Sequence, residues 1–467
     1  MFLEVIHSEG LAHLSYIVGH GKQAAVIDPR RDCEVYVDIA HRNGACITHI
    51  FETHRNEDYV IGSNELAGRT GAGIYHGSAL GFEYGNAVHE GDRFDLDGLY
   101  LTILETPGHT YESISIALYD PAFGEEAVGV FTGDALFIGD VGRTDFFPGK
   151  EEETASLLFD SIFNKLLPLG DHVILYPAHG AGSVCGSGMA SREFSTLGYE
   201  RLNNRVLQHT ERDAFVRHKV NEKHYRAPYF RKMEEHNLKG NAAEMPRLPR
   251  PRPMNTDTFA AAMEDGMVAI DVRSPEALAG AFVPGSVALP MAALAAYGGW
   301  FLEYDHPIGI ITEPGAYDHV ETVVRELIRM GFDDLVGFLE GGLHMWETSA
   351  RKFDRIPAIH VNQIRERIAQ NEKFTILDVR KEEEFERGHL KGALNVYLGH
   401  VLDRLDDIPR DRPVVTFCGS GQRAIIAASL LKKHGYTDVE NCLGSMSACK
   451  NTKCPLEASA EGEGNEE

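Results

Sequence analysis

The sequence predicts a multidomain protein of mixed α/β and α+β class: an N-terminal unit, residues 1–244, then two tandem α/β units with parallel sheets, residues 256–357 and 358–456. Three observations carry this. In the first unit, apolar runs end again and again in a histidine or an aspartate: "CITHIFETH" (46–54), "YLTILETPGH" (100–109), "AVGVFTGD" (127–134) and "HVILYPAH" (172–179). Such runs read as buried strands, and polar residues at their ends can converge on one site. Next, the Pro- and Arg-rich stretch "MPRLPRPRPMN", residues 245–255, reads as an extended linker. Beyond it the sequence repeats. "VAIDVRSPEAL" (268–278) matches "TILDVRKEEEF" (375–385), "FVPGSVALP" (282–290) matches "HLKGALNVY" (389–397), and "GFDDLVGFLEGG" (331–342) matches "GYTDVENCLGSM" (435–446), with a short indel before the last pair. Each copy alternates short apolar runs with helical stretches, as a parallel sheet covered by helices requires. The copies divide near Pro357, and the acidic end, residues 457–467, is expected to be a disordered tail.

Composition sets outer bounds. At 467 residues the chain is too long for one ordinary domain, and 43% hydrophobic with 25% charged residues is ordinary globular composition. A formal charge of −25 argues against nucleic acid or an anionic membrane as partner. No apolar run reaches membrane-spanning length, and "MFLEVIHSEG" lacks the basic start and apolar block of a signal peptide, so a cytoplasmic location is expected. Seven scattered cysteines do not form a disulfide framework. Cys442, Cys449 and Cys454 lie close together and are expected to be core or solvated thiols.

The four strand ends of the first unit supply His54, His109, Asp134 and His179. With "TPGHT", "TGDALF" and "YPAHG", this pattern resembles the metallo-β-lactamase family over about residues 1–190. The resemblance implies an αββα sandwich and a metal site. The family's common motif is His-x-His-x-Asp-His; here those positions hold His54, Asn56, Asp58 and Tyr59. An amide is a poor substitute for imidazole on zinc, so a two-zinc hydrolase site is not expected. What survives is His54, His109 and Asp134, a two-imidazole, one-carboxylate set of the kind that holds ferrous iron in non-haem oxygenases.

That set resembles the one used by the persulfide dioxygenase branch of the family. "GDVGRTDFFPG" (139–149) also resembles that branch, implying that Arg143 holds an anionic substrate group and Asp145 orients it. "APYFRKMEEHN" (227–237) resembles a stretch found in fusions of this dioxygenase with rhodanese modules. Asn56, Asp58, Tyr59 and His179 are then expected around the metal or the substrate rather than as its ligands.

In "RPVVTFCGSGQRAIIAASLLKKHG" (412–435) a buried strand ends at Cys418, the small loop Gly419, Ser420, Gly421 and Gln422 follows, and an apolar helix begins near Arg423. A thiol at a helix start, facing backbone N–H groups, is favoured as the thiolate nucleophile. Arg423 is expected to fix the loop or neutralise a bound anion. Four residues separate Cys418 from Arg423, one fewer than in cysteine phosphatases. The loop, with "DVR" and "EFERGHLKGALNV", resembles the rhodanese family over about residues 359–455. In the first copy the corresponding stretch reads "IGIITEPGAYDHV"; aligned through "GF" and "GY", Pro314 falls opposite Cys418, and this copy is expected to be catalytically silent.

Together these resemblances imply a sulfur-metabolising fusion with one Fe(2+) per chain. It would oxidise a low-molecular-weight persulfide with O₂ to sulfite and transfer sulfane sulfur through Cys418, with thiosulfate as a possible product and a homo-oligomer as the expected state. The alternatives are a zinc-dependent thiolester hydrolase of the glyoxalase II kind and a non-catalytic sulfur carrier.

Overall fold

The computed structural model describes residues 1–186, 188–452 and 454–457. It divides into two compact units, the first Met1–Leu248 with Ile328–Gly331 and the second the rest of the chain from Pro249.

The first unit is built on two sheets. One has six strands in chain order: Phe2–Ser8, His13–His20, Gln23–Ile27, Cys46–Glu52, Gly73–Gly77 and Asn86–Val88. The other has five, in the order Ile174–Pro177, Ala127–Gly133, Ile114–Tyr119, Leu99–Glu105 and Arg93–Leu96. Side chains alternate across a strand, so each sheet has an inner and an outer face. The inner faces share one core, where Tyr16, Ile27 and Phe51 of the first sheet meet Leu101, Ile116 and Phe131 of the second. On the outer face of the first sheet, Tyr36, Ile39 and Leu66 from two helices cover Val26 and Ile50. On that of the second, Leu158, Ile162 and Phe215 cover Val130 and Leu175. This is the αββα sandwich that the metallo-β-lactamase resemblance implied.

The topology also brings the site residues to one edge. Ile174–Pro177 runs parallel to Ala127–Gly133, and two antiparallel steps through Ile114–Tyr119 bring Leu99–Glu105 to the same direction. Three strands of one sheet therefore end on the same side, just before His109, Asp134 and His179.

The second unit holds the two copies. Each has a five-stranded, wholly parallel sheet. In the first copy the order is Arg252–Met254, Leu335–Leu339, Ile308–Ile311, Val268–Asp271, Val287–Ala288. In the second it is Ala358–His360, Val439–Leu443, Val414–Phe417, Thr375–Asp378, Leu394–Asn395. The orders are identical, as the repeat demands.

Helix Gln422–Lys433 is buried at every residue from Ala424 to Leu431. It packs on its own sheet and also meets the first copy, where the Ala288 N–H donates to Ser429 Oγ (3.2 Å) and Lys432 Nζ lies 3.3 Å from Asp354. A helix covered on all sides is apolar all round, which is why "AIIAASLL" shows no polar face.

Three expectations need correction. The Pro/Arg-rich stretch is a connector only in part: Arg252–Met254 is a strand on Leu335–Leu339, and Asn255 caps the next helix by accepting from the Thr258 N–H. Cys449 and Cys454 are not free thiols but a disulfide. The strand Leu456–Glu457 pairs with His389–Leu390. Glu457 thus belongs to a strand, and the rest of the expected tail, 458–467, lies outside the described residues. Among the described residues no helix is long and apolar enough to cross a membrane.

Candidate functional site

The first candidate site is a buried basin at the strand ends of the αββα unit. His54 is oriented by a chain of hydrogen bonds. Asp28 accepts from both the N–H and the Oγ1 of Thr53 (2.7 Å each), and Thr53 Oγ1, its hydrogen spent on Asp28, accepts from His54 Nδ1 at 2.9 Å. His109 Nδ1 donates to the Arg143 carbonyl oxygen at 2.9 Å. Each imidazole, when neutral, is thereby fixed as the tautomer whose Nε2 carries a lone pair. Both Nε2 atoms face Asp134 Oδ2, at 3.7 Å from His54 and 3.5 Å from His109. The other oxygen, Asp134 Oδ1, lies 2.7 Å from His179 Nδ1, and His179 Nε2 lies 3.1 Å from Asp58 Oδ2.

His109 reaches the basin across a tight contact. Gly108 has φ +145°, and a Cβ there would collide with the backbone of Leu158 in helix Glu151–Asp160.

Burial and charge oppose each other here. Burial works against ionising Asp134, but the charge and hydrogen bond of His179 outweigh it and hold its carboxyl well below the usual range. Burial pushes His54 down to about 4, keeping it neutral. His54 Nε2, His109 Nε2, Asp134 Oδ2, Glu57 Oε2 and Asp58 Oδ1 are all buried and meet no hydrogen-bond partner. Each such atom costs about 1–3 kcal/mol when left unmade. Two imidazole nitrogens and several carboxylate oxygens gathered this closely are a donor set that a cation can take, so the residues fit a metal ion.

The remaining predicted residues lie around this basin. Asn56 turns its Nδ2 onto the His54 carbonyl oxygen (3.2 Å), and the Tyr59 ring packs tilted against His13 with centroids 4.0 Å apart. Arg143 is buried and forks onto Asp145 with two bonds of 2.6 Å, while its third nitrogen reaches the Val184 and Tyr225 carbonyls at 3.4 Å. Its guanidinium braces two loops against the basin. The stretch at 227–237 clamps the motif loop: Asn237 Nδ2 donates to the carbonyls of Asn56 and Tyr59 (2.7 Å each), and Tyr229 Oη to that of Asp58 (2.9 Å).

Two residues were missed from sequence. Glu57 stands 3.4 Å from His109 Nε2, and its donor atom lies within 4.8 Å of those of His54 and His109. Cys185 donates to Glu57 Oε1 at 3.3 Å and is grouped with Asp58 and His179. Glu57 occupies a variable slot of the motif, where no ligand is looked for. Cys185 had a usable signal: it follows His179 by six residues on the same loop.

The second candidate site is the cysteine loop. Cys418 is buried at the end of strand Val414–Phe417. The Gly421 N–H donates to its Sγ at 3.0 Å, and the Cys418 N–H donates to Ser445 Oγ at 3.1 Å. Gly421, with φ +107°, makes this turn before helix Gln422–Lys433. Arg423 does not face the sulfur alone; it forks onto Glu384 at 2.6 and 2.7 Å. A cavity of about 320 Å³ bordered by Arg380, Arg387, Gly419 and Lys450 lies beside the loop.

Strand register corrects the first copy. Asp271 pairs with Ile311 as Asp378 pairs with Phe417. Thr312, not Pro314, therefore occupies the place of Cys418. The alignment through "GF" and "GY" failed because the indel falls between this strand and those glycines.

Two family models match the chain. Residues 9–179 match the metallo-beta-lactamase superfamily and residues 360–452 the rhodanese-like domain. The chain is 30% identical to hydroxyacylglutathione hydrolase GloC of Haemophilus influenzae over 208 residues, 40% of this chain and 88% of that protein. It is 28% identical to the persulfide dioxygenase ETHE1 of Bos taurus over 173 residues, 35% of this chain and 63% of that protein. Among solved structures, a metallo-beta-lactamase from Staphylococcus aureus superposes with TM-score 0.64 at 30% identity, covering 73% of this chain and 99% of that one.

Proposed function

Because this chain belongs to the metallo-beta-lactamase superfamily and carries a C-terminal rhodanese-like domain, we propose that it is a sulfur-oxidising fusion enzyme. Its first unit converts a small persulfide, O₂ and water to the free thiol and sulfite (R–S–SH + O₂ + H₂O → R–SH + SO₃²⁻ + 2H⁺). Its last domain transfers sulfane sulfur. The observation that carries this reading is the converging set His54 Nε2, His109 Nε2 and Asp134 Oδ2, all unpartnered, with no imidazole at Asn56 or Tyr59 to complete a two-zinc site.

His54, His109 and Asp134 would hold one ferrous ion per chain. When bound, that ion supplies open positions at which a persulfide sulfur and O₂ can be brought together. The protein's part is orientation. Thr53 and the Arg143 carbonyl fix the two imidazoles, and Arg143 with Asp145 holds the loops that wall the basin. His179 also borders a cavity of about 420 Å³ lined by Leu14, Tyr16, Ile138 and Met189, suited to the carbon skeleton of a carrier thiol.

In the last domain, the Cys418 thiolate attacks the outer sulfur of R–S–SH. The S–S bond breaks, R–S⁻ leaves, and Cys418 becomes a persulfide. Sulfite then takes that sulfur to give thiosulfate and restores the thiolate. The Gly421 N–H stabilises the sulfur anion, and the cations Arg387 and Lys450 favour an anionic partner.

The likeness to a hydroxyacylglutathione hydrolase favours a second reading, a zinc-dependent thiolester hydrolase. Metal analysis of freshly purified protein, with O₂ uptake measured on glutathione persulfide, separates the two. About one iron per chain with persulfide-dependent O₂ uptake is expected. Two zincs per chain with thiolester hydrolysis and no O₂ uptake would sink the dioxygenase reading.

A further inference from the structure

We infer that Glu57 is a fourth protein donor at this metal centre, taking over the position that Asn56 vacates. The inference rests on the reading of His54, His109 and Asp134 as metal ligands and extends it.

Glu57 directly follows the motif position where the superfamily places an imidazole. Asn56 does not replace that imidazole with a charged donor; its Nδ2 is turned back onto the His54 carbonyl. Glu57 is buried instead of solvated, 1% exposed, although a glutamate in a loop normally reaches water. Its Oε1 lies 3.4 Å from His109 Nε2, and Oε2 meets no partner.

The hydrogen bonds behind the imidazoles leave their Nε2 atoms as the ones that can face a cation. His109 Nδ1 is spent on the Arg143 carbonyl and His54 Nδ1 on Thr53 Oγ1. In the neutral imidazoles, the Nε2 lone pairs point at a region that also holds carboxylate oxygens of Asp134 and Glu57. Acceptors face acceptors. A buried carboxylate needs a partner, and here a divalent ion bound by all four groups would be that partner. Cys185 completes the support, because its S–H donates to Glu57 Oε1.

Two consequences follow for the chemistry. Two carboxylates balance the charge of a divalent ion. Two oxygen-donor side chains beside two imidazoles also move the site away from the sulfur- and nitrogen-rich sets that zinc favours.

The test uses the full chain, loaded anaerobically with Fe(2+) or, for spectroscopy, Co(2+), and titrated with a competing chelator. Glu57→Gln, which keeps the volume and removes the charge, should weaken metal binding by at least about 10-fold and alter the cobalt ligand-field spectrum. Glu57→Asp, shorter by one methylene, should give an intermediate loss. Cys185→Ala should keep one metal per chain. Wild-type affinity and an unchanged cobalt spectrum in Glu57→Gln overturn this inference alone. A sulfur-to-cobalt charge-transfer band that disappears in Cys185→Ala also overturns it, because Cys185 would then be the extra donor. A wild-type chain that binds no metal overturns both this inference and the reading beneath it.

Discussion

In the second α/β copy, strand Val414–Phe417 delivers Cys418 into a loop of small residues; in the first, the matching strand Ile308–Ile311 delivers Thr312, followed by Glu313 and Pro314. Around this difference much is the same. In both copies the arginine of "DVR" folds back onto its own aspartate and onto a carbonyl eight residues on. Arg273 holds Asp271 (2.8 and 2.6 Å) and the Ala281 oxygen (2.8 Å); Arg380 holds Asp378 (2.9 and 2.6 Å) and the Gly388 oxygen (2.9 Å). A feature kept in a copy without a nucleophile belongs to the scaffold. The Gly421-to-sulfur bond and the Arg423–Glu384 fork occur in the second copy, where the cysteine is. The comparison thus sorts motif residues into those that hold the sheet in both copies and those that occur with the cysteine.

The largest expected effect tests the chemical half of that sorting. Cys418→Ser should lower sulfur transfer from thiosulfate or a persulfide by at least about 10³-fold, while persulfide-dependent O₂ uptake continues. Adding Thr312→Cys in the same chain should restore nothing, because Glu313 and Pro314 replace the loop of N–H donors. Measurable transfer by the double variant would mean that position alone suffices.

The next effect tests the scaffold half. Arg273→Met and Arg380→Met each leave a buried aspartate without its partner, at about 3–5 kcal/mol. Thermal unfolding should fall comparably for both. A loss confined to Arg380→Met would show that "DVR" serves the active loop rather than the sheet.

The smallest effect concerns the fork that marks the second copy. Burial works against ionising Glu384, but Arg423 outweighs it and holds the carboxyl below its ordinary value. With the folded value depressed, the pair contributes stability above the unfolded value, and that contribution is lost as pH falls through the folded one. Glu384→Gln should therefore lower stability by about 1 kcal/mol at pH 7 and show less acid sensitivity than the parent. Equal loss at low and neutral pH would show that the fork is not ionic in its effect.

Much of the site's outline was legible because strand ends carry it. His54, His109, Asp134 and His179 each close an apolar run, and strands that run in the same direction bring such ends together. The reading stopped where the chain leaves that rule. Glu57 and Cys185 reach the basin from a motif slot and a trailing loop, whose directions are set by tertiary contacts such as the Asn237 clamp. Thr312 was misplaced because strand register, not local similarity, fixes which residues correspond. The strand Leu456–Glu457 beyond the Cys449–Cys454 disulfide has two residues, too few to show a period.

The contact between Gly108 and the backbone of Leu158 has room for a hydrogen atom and nothing larger. Helix Glu151–Asp160 carries none of the proposed ligands, yet it acts as the stop against which the His109 loop comes to rest. The reach of that imidazole is therefore inherited through a helix on the far side of the loop. A selection for altered metal preference would be expected to return changes along this helix as readily as changes among the ligands.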